Sequence, residues 1–368
     1  MKPLISLRKA MELDGLLGRA VRGNSWAAWR VVMLAAMGEE LSRGELALFT
    51  RLTGRPKSPT RPVQEMAAIV GRRGGKTRAL STIAVYIAAL CDHSPVLAYG
   101  ERGLVLLIAP NQKQSRVALD YCAGIIEQSV ELKPCVVKRT TDSISLSNGI
   151  DIEVRAANFR QLRSVTCVAV LADETAFFND DGSGSANPDT EILNAVRPSL
   201  ATTKGPLLIA SSPYRKSGVL WDIYRSNFGA NSDPSLLVLK GSSRDFNPSL
   251  DQKVIDRAMA SDPARARAEW LGEFRDDIES YILREVVEAC VDTGVRERVP
   301  SSKFDYFAFT DPAGGSGQDA MTLAIAHHEN EMAVIDAVRE IRPPFSPTAA
   351  IAEFCDLLRR YKIRDLYT

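Results

Sequence analysis

The sequence is poor in the residues that build disulfide frameworks and zinc sites. It has six cysteines and three histidines in 368 residues, and no two cysteines form a C-x-x-C motif. Scattered cysteines of this kind favour buried, reduced thiols over either scaffold. Long apolar runs are also missing, since no stretch reaches the ~18 apolar residues of a membrane-spanning helix. The N-terminal residues interrupt their apolar runs with charge, unlike a signal peptide. We therefore expect a protein of the cytoplasm that makes no membrane contact.

An excess of charge of one sign is also absent. The chain has 46 Lys and Arg against 45 Asp and Glu, which gives a net charge of +1. Any contact with nucleic acid must therefore come from local basic patches and not from the chain as a whole. The charged fraction of 25% and the hydrophobic fraction of 45% are typical of a globular protein that buries a large core. A length of 368 residues favours two domains.

The stretch "IVGRRGGKTRAL" at positions 69–80 joins the end of an apolar strand to a glycine-rich turn. Gly71, Gly74 and Gly75 permit the backbone angles that turn N–H groups inward, and Lys76-Thr77 begins a helical pattern. This order is typical of the phosphate-binding loop of nucleotide triphosphatases. There Lys76 would reach the β- and γ-phosphates of ATP, and the Thr77 hydroxyl would bind Mg²⁺. The usual pattern has glycine, where this chain has valine, five residues before Gly75. A glycine-rich turn with a solvated lysine is the plainer alternative.

A second acidic motif follows the strand "VAVLA", which ends in Asp173 and Glu174. A phosphate loop needs such acids at the end of a neighbouring strand. Asp173 would bind Mg²⁺, usually through water, and Glu174 would polarise the attacking water as general base. Two solvated acids after a strand are common, but their combination with the phosphate loop favours an ATPase. The adjacent Asp-Glu pair favours a RecA-like ATPase over a GTPase or a small-molecule kinase.

Apolar strands alternate with helical patterns as far as residue 242. The strands are "GLVLLIAP", "CVAVLADE", "GPLLIASSP" and "SLLVLKG", and "ISLSNGIDIEVRAA" predicts a hairpin that turns at Asn148-Gly149. This alternation predicts an α/β fold with a parallel sheet and helices on both faces. Two short helices broken at Pro263 follow, and then three successive strands and a helix from about Pro347 to Tyr361.

Over nearly its full length the sequence resembles the large subunits of tailed-bacteriophage terminases, the DNA-packaging motors. The resemblance rests on "GRRGGKT", "VLADETAFF", "IASSPY", "DPARARAEWLGEF" and "FAFTDPAGG". It implies a RecA-like P-loop ATPase of the ASCE class followed by a ribonuclease-H-like nuclease. It also implies a pentameric ring on the portal of a procapsid, with double-stranded DNA and the terminase small subunit as partners. Within "IASSPY", Ser211 and Ser212 would couple the nucleotide site to DNA.

The same resemblance gives roles to several arginines. The family's loop carries arginine, so Arg72 or Arg73 would neutralise charge on the γ-phosphate within the subunit. A ring motor also needs an arginine from the neighbouring subunit. The segment "VRAANFRQLRS" offers Arg155, Arg160 and Arg163, and the resemblance favours Arg163.

The segment "FAFTDPAGGSGQD" places Asp311 at the end of a strand and Asp319 after a loose turn. An Asp-Pro turn would explain it, but it resembles the first strand of a ribonuclease-H-like fold, whose first carboxylate bridges two Mg²⁺ or Mn²⁺ ions. We interpret His327-His328 as turn residues. Three acids on or near the third strand stay unassigned, because solvated edge positions would also explain them: Glu331, Asp336 and Glu340.

The stretch "IRDLYT" predicts the start of a fourth strand. In the resembled family the second metal-binding acid follows that strand, so we expect a truncated nuclease that does not cut DNA. The predicted domains are a helical arm (1–53), the ATPase domain (54–242), a helical linker (243–302) and an incomplete nuclease domain (303–368).

Two other functions stay open. A helicase-like DNA translocase would share the ATP motifs, but "FAFTDPAGG" argues against an enzyme without a nuclease. A decayed prophage fragment would act only as an assembly or binding component. The intact Lys76, Thr77, Asp173 and Glu174 argue against decay of the ATP site.

Overall fold

The computed structural model describes residues 1–156, 165–178, 188–229, 233–275, 289–315 and 320–366. The chain divides into two compact units, Met1–Tyr281 and Ile282–Thr368. In the described part of the chain, no helix is long and apolar enough to cross a membrane.

The first unit is built on an eight-stranded sheet. Its strands are β2 (Glu65–Val70), β4 (Gly103–Ala109), β5 (Val136–Arg139), β6 (Ser143–Leu146), β7 (Ile150–Ala156), β8 (Cys167–Asp173), β9 (Leu207–Ser211) and β10 (Leu236–Gly241). A separate pair of strands is formed by β1 (Lys2–Pro3) and β3 (Cys91–Asp92). The strand order of the large sheet is β10-β2-β9-β8-β4-β7-β6-β5. The strands from β10 to β7 are parallel, and β6 and β5 add an antiparallel edge. The predicted hairpin is confirmed, with Gly149 at φ 83° between β6 and β7.

Both faces of the central strands are buried, as the continuous apolar runs predict. In β2, Met66, Ala68 and Val70 belong to one hydrophobic core, whereas Ala67 and Ile69 belong to the core on the opposite face. Successive side chains of a strand point to opposite faces, so this division follows directly from the pleat. The sheet is therefore covered by helices on both sides.

The described helices of the first unit are, in chain order, α1 (Leu7–Glu12), α2 (Ala27–Ala36), α3 (Arg43–Thr53), α4 (Lys76–Leu90), α5 (Gln112–Gln128), α6 (Pro188–Leu200), α7 (Val219–Asn227), α8 (Ser243–Phe246), α9 (Gln252–Ser261) and α10 (Pro263–Ala266). The first core includes residues of α1, α2, α4 and α5, and the second includes residues of α6 and α7. A π-helical turn at Arg267–Leu271 follows. The N-terminal helices thus share a core with the sheet.

The predicted break at Pro263 is confirmed. Asp262 ends α9, and its side chain accepts a hydrogen bond from the Arg265 N–H at the start of α10. Proline suits the first helical position because its missing N–H would have no partner there.

The second unit contains a three-stranded antiparallel sheet in the order β11-β12-β13. Its elements are β11 (Tyr306–Asp311), β12 (Met321–Glu329), β13 (Met332–Ile341) and α11 (Pro347–Arg360). The helix packs its apolar side, including Ala350, Phe354 and Leu357, against Ala308, Leu323 and Ile325 of the sheet. The three strands and the helix predicted for this segment are confirmed.

Three details of the second unit differ from the predictions. His327 and His328 lie within β12, and the turn comes later, at Asn330 and Glu331, which have positive φ. Asp336 is buried, and its carboxylate lies 2.7 Å from Nδ1 of His327. Sequence pattern missed this pair because the two residues lie on neighbouring strands and come together only in the folded sheet. The described residues 363–366 form no strand, since none of the described strands pairs with them.

Candidate nucleotide-binding site

The glycine-rich loop connects the end of β2 to the start of α4. Gly75 precedes the helix with φ 82°, a left-handed conformation that glycine adopts without strain. A Cβ at Gly71 would lie 2.4 Å from Oγ of Ser243, and one at Gly74 would lie 2.6 Å from Cγ1 of Val70. Both positions therefore require glycine for close packing. Helix α4 has no side-chain cap at this end, so its first N–H groups suit an anion.

The outer side of the loop is held by side chains from distant segments. The carbonyl oxygens of residues 72, 73 and 74 accept hydrogen bonds from Ser243 Oγ at 2.6 Å, Asn247 Nδ2 at 3.1 Å and Trp29 Nε1 at 2.6 Å. The Arg72 N–H also donates to the carbonyl of Glu269 at 2.5 Å. The loop is thus fixed from the N-terminal helices and from the segment that follows β10.

Lys76 is buried, and its amine lies at the centre of the site. Nζ donates to the Val70 carbonyl at 3.1 Å and to Oγ of Ser212 at 2.8 Å, and it lies 3.3 Å from Oε1 of Glu174. The loop, β8 and the end of β9 therefore meet at one ammonium group. A buried cation with these oxygen partners can exchange them for phosphate oxygens at low geometric cost.

Thr77 and Asp173 lie side by side. The Thr77 hydroxyl donates to Oδ2 of Asp173 at 2.5 Å, and the Glu174 N–H donates to Oδ1 at 3.1 Å. Burial, with repulsion from the Glu174 carboxylate as a second cause, raises the pKa of Asp173 to about 6. A cation bound here would favour the ionised carboxylate and so lower the pKa of Asp173.

Glu174 has a left-handed backbone with φ 53°, which is uncommon for a residue with a side chain and is typical of functional sites. Its N–H donates to the Ala210 carbonyl at 2.7 Å. Its Oε2 accepts from the Ser212 N–H at 3.1 Å and lies 3.4 Å from Oγ of Ser211. The turn at the end of β8 therefore aims this carboxylate at the end of β9.

A cavity of about 540 Å³ opens beside these groups. It is lined by Arg72, Glu174, Phe177, Ser212, Pro213, Tyr214, Asp262, Arg265, Glu269 and other residues of the same segments. Arg72 is exposed, and its guanidinium lies 3.1 Å from Oε1 of Glu269. Arg73 is also exposed, and has φ 62°. Of the two loop arginines, Arg72 is the one that lines the cavity with Glu174.

The structure brings together most of the residues predicted for the ATP site: Gly71, Gly74, Gly75, Lys76, Thr77, Asp173, Glu174, Ser211 and Ser212. Arg163 and Arg160 lie outside the described residues, as does Asp319. Asp311 is exposed at the end of β11 in the second unit. Among the described residues no group of three or more His, Cys, Asp or Glu side chains is placed to bind a metal ion.

Sequence reasoning missed the supports of the loop. The prediction of a helical arm over residues 1–53 gave no contact with the loop, but Trp29 is 1% exposed and its indole N–H donates to the Gly74 carbonyl. Ser243 and Asn247 gave no signal beyond a helix start, and Glu269 gave none.

Among the comparisons with known proteins, only the comparison with solved structures bears on the fold. No protein-family model matches the sequence, and no curated protein matches it. The large terminase of bacteriophage HK97 matches 89% of this chain and 79% of its own, with a TM-score of 0.53 and 14% identity. The large terminase ATPase domain of Thermus phage P74-26 matches 68% of this chain and 98% of its own, at 17% identity, but its TM-score of 0.46 carries no argument. At this identity the likeness to the HK97 protein shows the fold alone. The chain has the α/β, RecA-like fold of a phage large terminase.

Proposed function

We propose that this chain is the ATP-hydrolysing motor subunit of a phage terminase. The observation that carries the proposal is the convergence of Lys76, Thr77, Asp173 and Glu174 from two strand ends, beside the cavity that Glu174 lines. Thr77 lies 2.5 Å from Asp173, and Lys76 lies 3.3 Å from Glu174. These are the residue types, in the arrangement, that bind a triphosphate and activate water against it. The terminase fold agrees with this function.

Each residue has a distinct role in the proposed reaction. The loop N–H groups and Lys76 bind the phosphates and hold the terminal one in place. Glu174 accepts a proton from the attacking water as general base. Ser212 donates to Glu174 through its N–H and accepts from Lys76 through its hydroxyl. Ser212 therefore contacts both the proposed general base, Glu174, and the lysine that would bind phosphate.

The residues at the end of β8 fit a magnesium ion. Mg²⁺ prefers oxygen ligands and is usually held by one or two carboxylates together with substrate phosphates. The adjacent Thr77 hydroxyl and Asp173 carboxylate supply such oxygens. When bound, such an ion would supply positive charge beside the phosphates, held by the Thr77 hydroxyl and the Asp173 carboxylate. A divalent ion also favours the ionised form of Asp173, whose pKa is otherwise raised by burial.

The partners follow from the same proposal. We infer that the subunit acts in a homo-oligomeric ring on a procapsid portal, moves double-stranded DNA and is joined by a terminase small subunit. Arg72 lines the Glu174 cavity and is the better placed cis arginine, while Arg163 is the proposed trans arginine. In the second unit, Asp311 at the end of β11 would be the first carboxylate of a ribonuclease-H-like nuclease.

Steady-state ATP hydrolysis tests the proposal. We expect slow turnover by the chain alone and faster turnover with duplex DNA and procapsids. Lys76→Ala should weaken both nucleotide binding and turnover, whereas Glu174→Gln should stop turnover and keep binding. Lys138→Ala, at an exposed position on β5, is the matched control and should behave as wild type. Undiminished turnover in both site variants would end the assignment.

A further inference from the structure

Trp29 contacts the glycine-rich loop at the peptide that joins Gly74 to Gly75. The side chain is 1% exposed, and its Nε1 donates to the Gly74 carbonyl at 2.6 Å. Its ring packs against Phe246, with centroids 4.6 Å apart. Residues 29 and 74 are 45 positions apart in the sequence, so this is a tertiary contact to the loop.

The direction of this carbonyl decides the direction of the next N–H. In a planar trans peptide the C=O and the following N–H point to opposite sides. A Gly74 carbonyl held against the N-terminal helix therefore turns the Gly75 N–H away from that helix. The preceding peptide behaves in the same way: the Arg73 carbonyl is held by Asn247, and the Gly74 N–H points into the loop, where it donates to the Gly71 carbonyl at 3.2 Å.

The peptide between two glycines needs such a restraint. Neither residue has a Cβ, so rotation of the peptide plane costs little in steric terms. A rotated peptide would present a carbonyl oxygen where a phosphate-binding loop must present an N–H. Gly75 also has φ 82°, a region in which glycine moves easily.

We propose that Trp29 is a positioning residue of the phosphate loop and that its indole N–H fixes the Gly74–Gly75 peptide in the orientation that binds phosphate. This inference rests on the proposed function, since it concerns the same loop. A purely structural role would also satisfy the buried indole N–H. The two roles differ in what they predict for phosphate affinity.

Calorimetric titration of the full chain with Mg-ATP and with inorganic tripolyphosphate separates them. Trp29→Phe keeps an aromatic ring beside Phe246 but removes the donor. We expect its affinity for both ligands to fall about tenfold, the size of effect that follows the loss of one buried hydrogen bond. Trp221→Phe is the control for losing an indole, because Trp221 packs against Phe274 away from the loop, and it should bind both ligands as wild type does.

The affinities of Trp29→Phe for the two ligands decide whether Trp29 positions the loop. A folded Trp29→Phe chain with wild-type affinity for both ligands would overturn the inference and leave the proposed function intact. A loss confined to ATP would also overturn it, because the defect would then lie in contacts to the nucleoside. If Trp29→Phe does not fold, benzothienylalanine at position 29 keeps the shape of the indole and replaces its N–H by sulfur, and the same tenfold loss is expected. A wild-type chain that binds neither ligand would overturn the proposed function as well.

Discussion

Replacing Asp173 by asparagine should stabilise the first unit while it removes the proposed metal ligand. Burial and the neighbouring Glu174 raise the pKa of Asp173 from 3.8 to about 6. A difference of about two pKa units corresponds to about 3 kcal/mol of unfavourable free energy for the ionised side chain. Asparagine removes the charge and keeps the contacts, since its oxygen can accept from the Glu174 N–H and its amide can donate to Thr77. We therefore expect Asp173→Asn to raise the free energy of unfolding by roughly 1 to 3 kcal/mol at pH 8.

The dependence on pH follows from the direction of the shift. Because the folded-state pKa is raised, the ionised carboxyl destabilises the native state fully above pH 6, and the penalty disappears below the ordinary value of 3.8. The advantage of Asp173→Asn should therefore shrink as the pH falls through this window. Asp151→Asn is the control, because Arg102 lowers the pKa of Asp151 and its loss should destabilise the protein at neutral pH.

Urea unfolding of both variants and wild type at pH 8, 6 and 4.5, followed by tryptophan fluorescence, gives the comparison. Titration of groups distant from Asp173 affects the wild type and the variant alike and cancels in the difference. An Asp173→Asn chain that is no more stable than wild type at pH 8, or whose advantage grows towards acid pH, would refute the reasoning. Turnover with Mg²⁺ should be lost in this variant at every pH.

The remaining predictions concern the arginine finger and the second unit. Arg163→Ala should hydrolyse ATP poorly, with a loss of up to ~10³–10⁵ for a full arginine finger. Mixing it with Glu174→Gln should restore some activity, because one interface then has both groups; no rescue in the mixture would favour a cis or structural role. A nicking assay on plasmid DNA with Mn²⁺ should show no cutting by this chain. A two-metal site needs carboxylates from several strands, and no such group surrounds Asp311 among the described residues. Robust cutting that disappears in Asp311→Ala would show that the chain completes its site.

The features that the sequence predicted are those with a local cause. A glycine without a Cβ, a Lys-Thr at a helix start and an acid after an apolar strand each have a physical reason within a few residues. The order of these features along the chain then places Lys76 and Asp173 at the same edge of a parallel sheet. The break at Pro263 and the hairpin at Asn148-Gly149 have local causes of the same kind.

The features that the sequence did not predict depend on contacts between distant segments. The bond from Trp29 to Gly74 and the ion pair between Arg72 and Glu269 join segments that have no shared pattern. His327 resembled a turn residue because histidine is polar, and its contact with the buried Asp336 of the neighbouring strand explains its place in β12. A polar residue in a core is predictable only when its partner is known.

The identity of the nucleotide that stays bound after a single turnover tests the central claim most directly. Wild type and Glu174→Gln are loaded with radiolabelled ATP and Mg²⁺, separated rapidly from free nucleotide and quenched. We predict that the wild type holds ADP and that Glu174→Gln holds intact ATP. Equal conversion to ADP in both chains, or no retained nucleotide in either, would contradict the assignment of this site as an ATPase with Glu174 as its base.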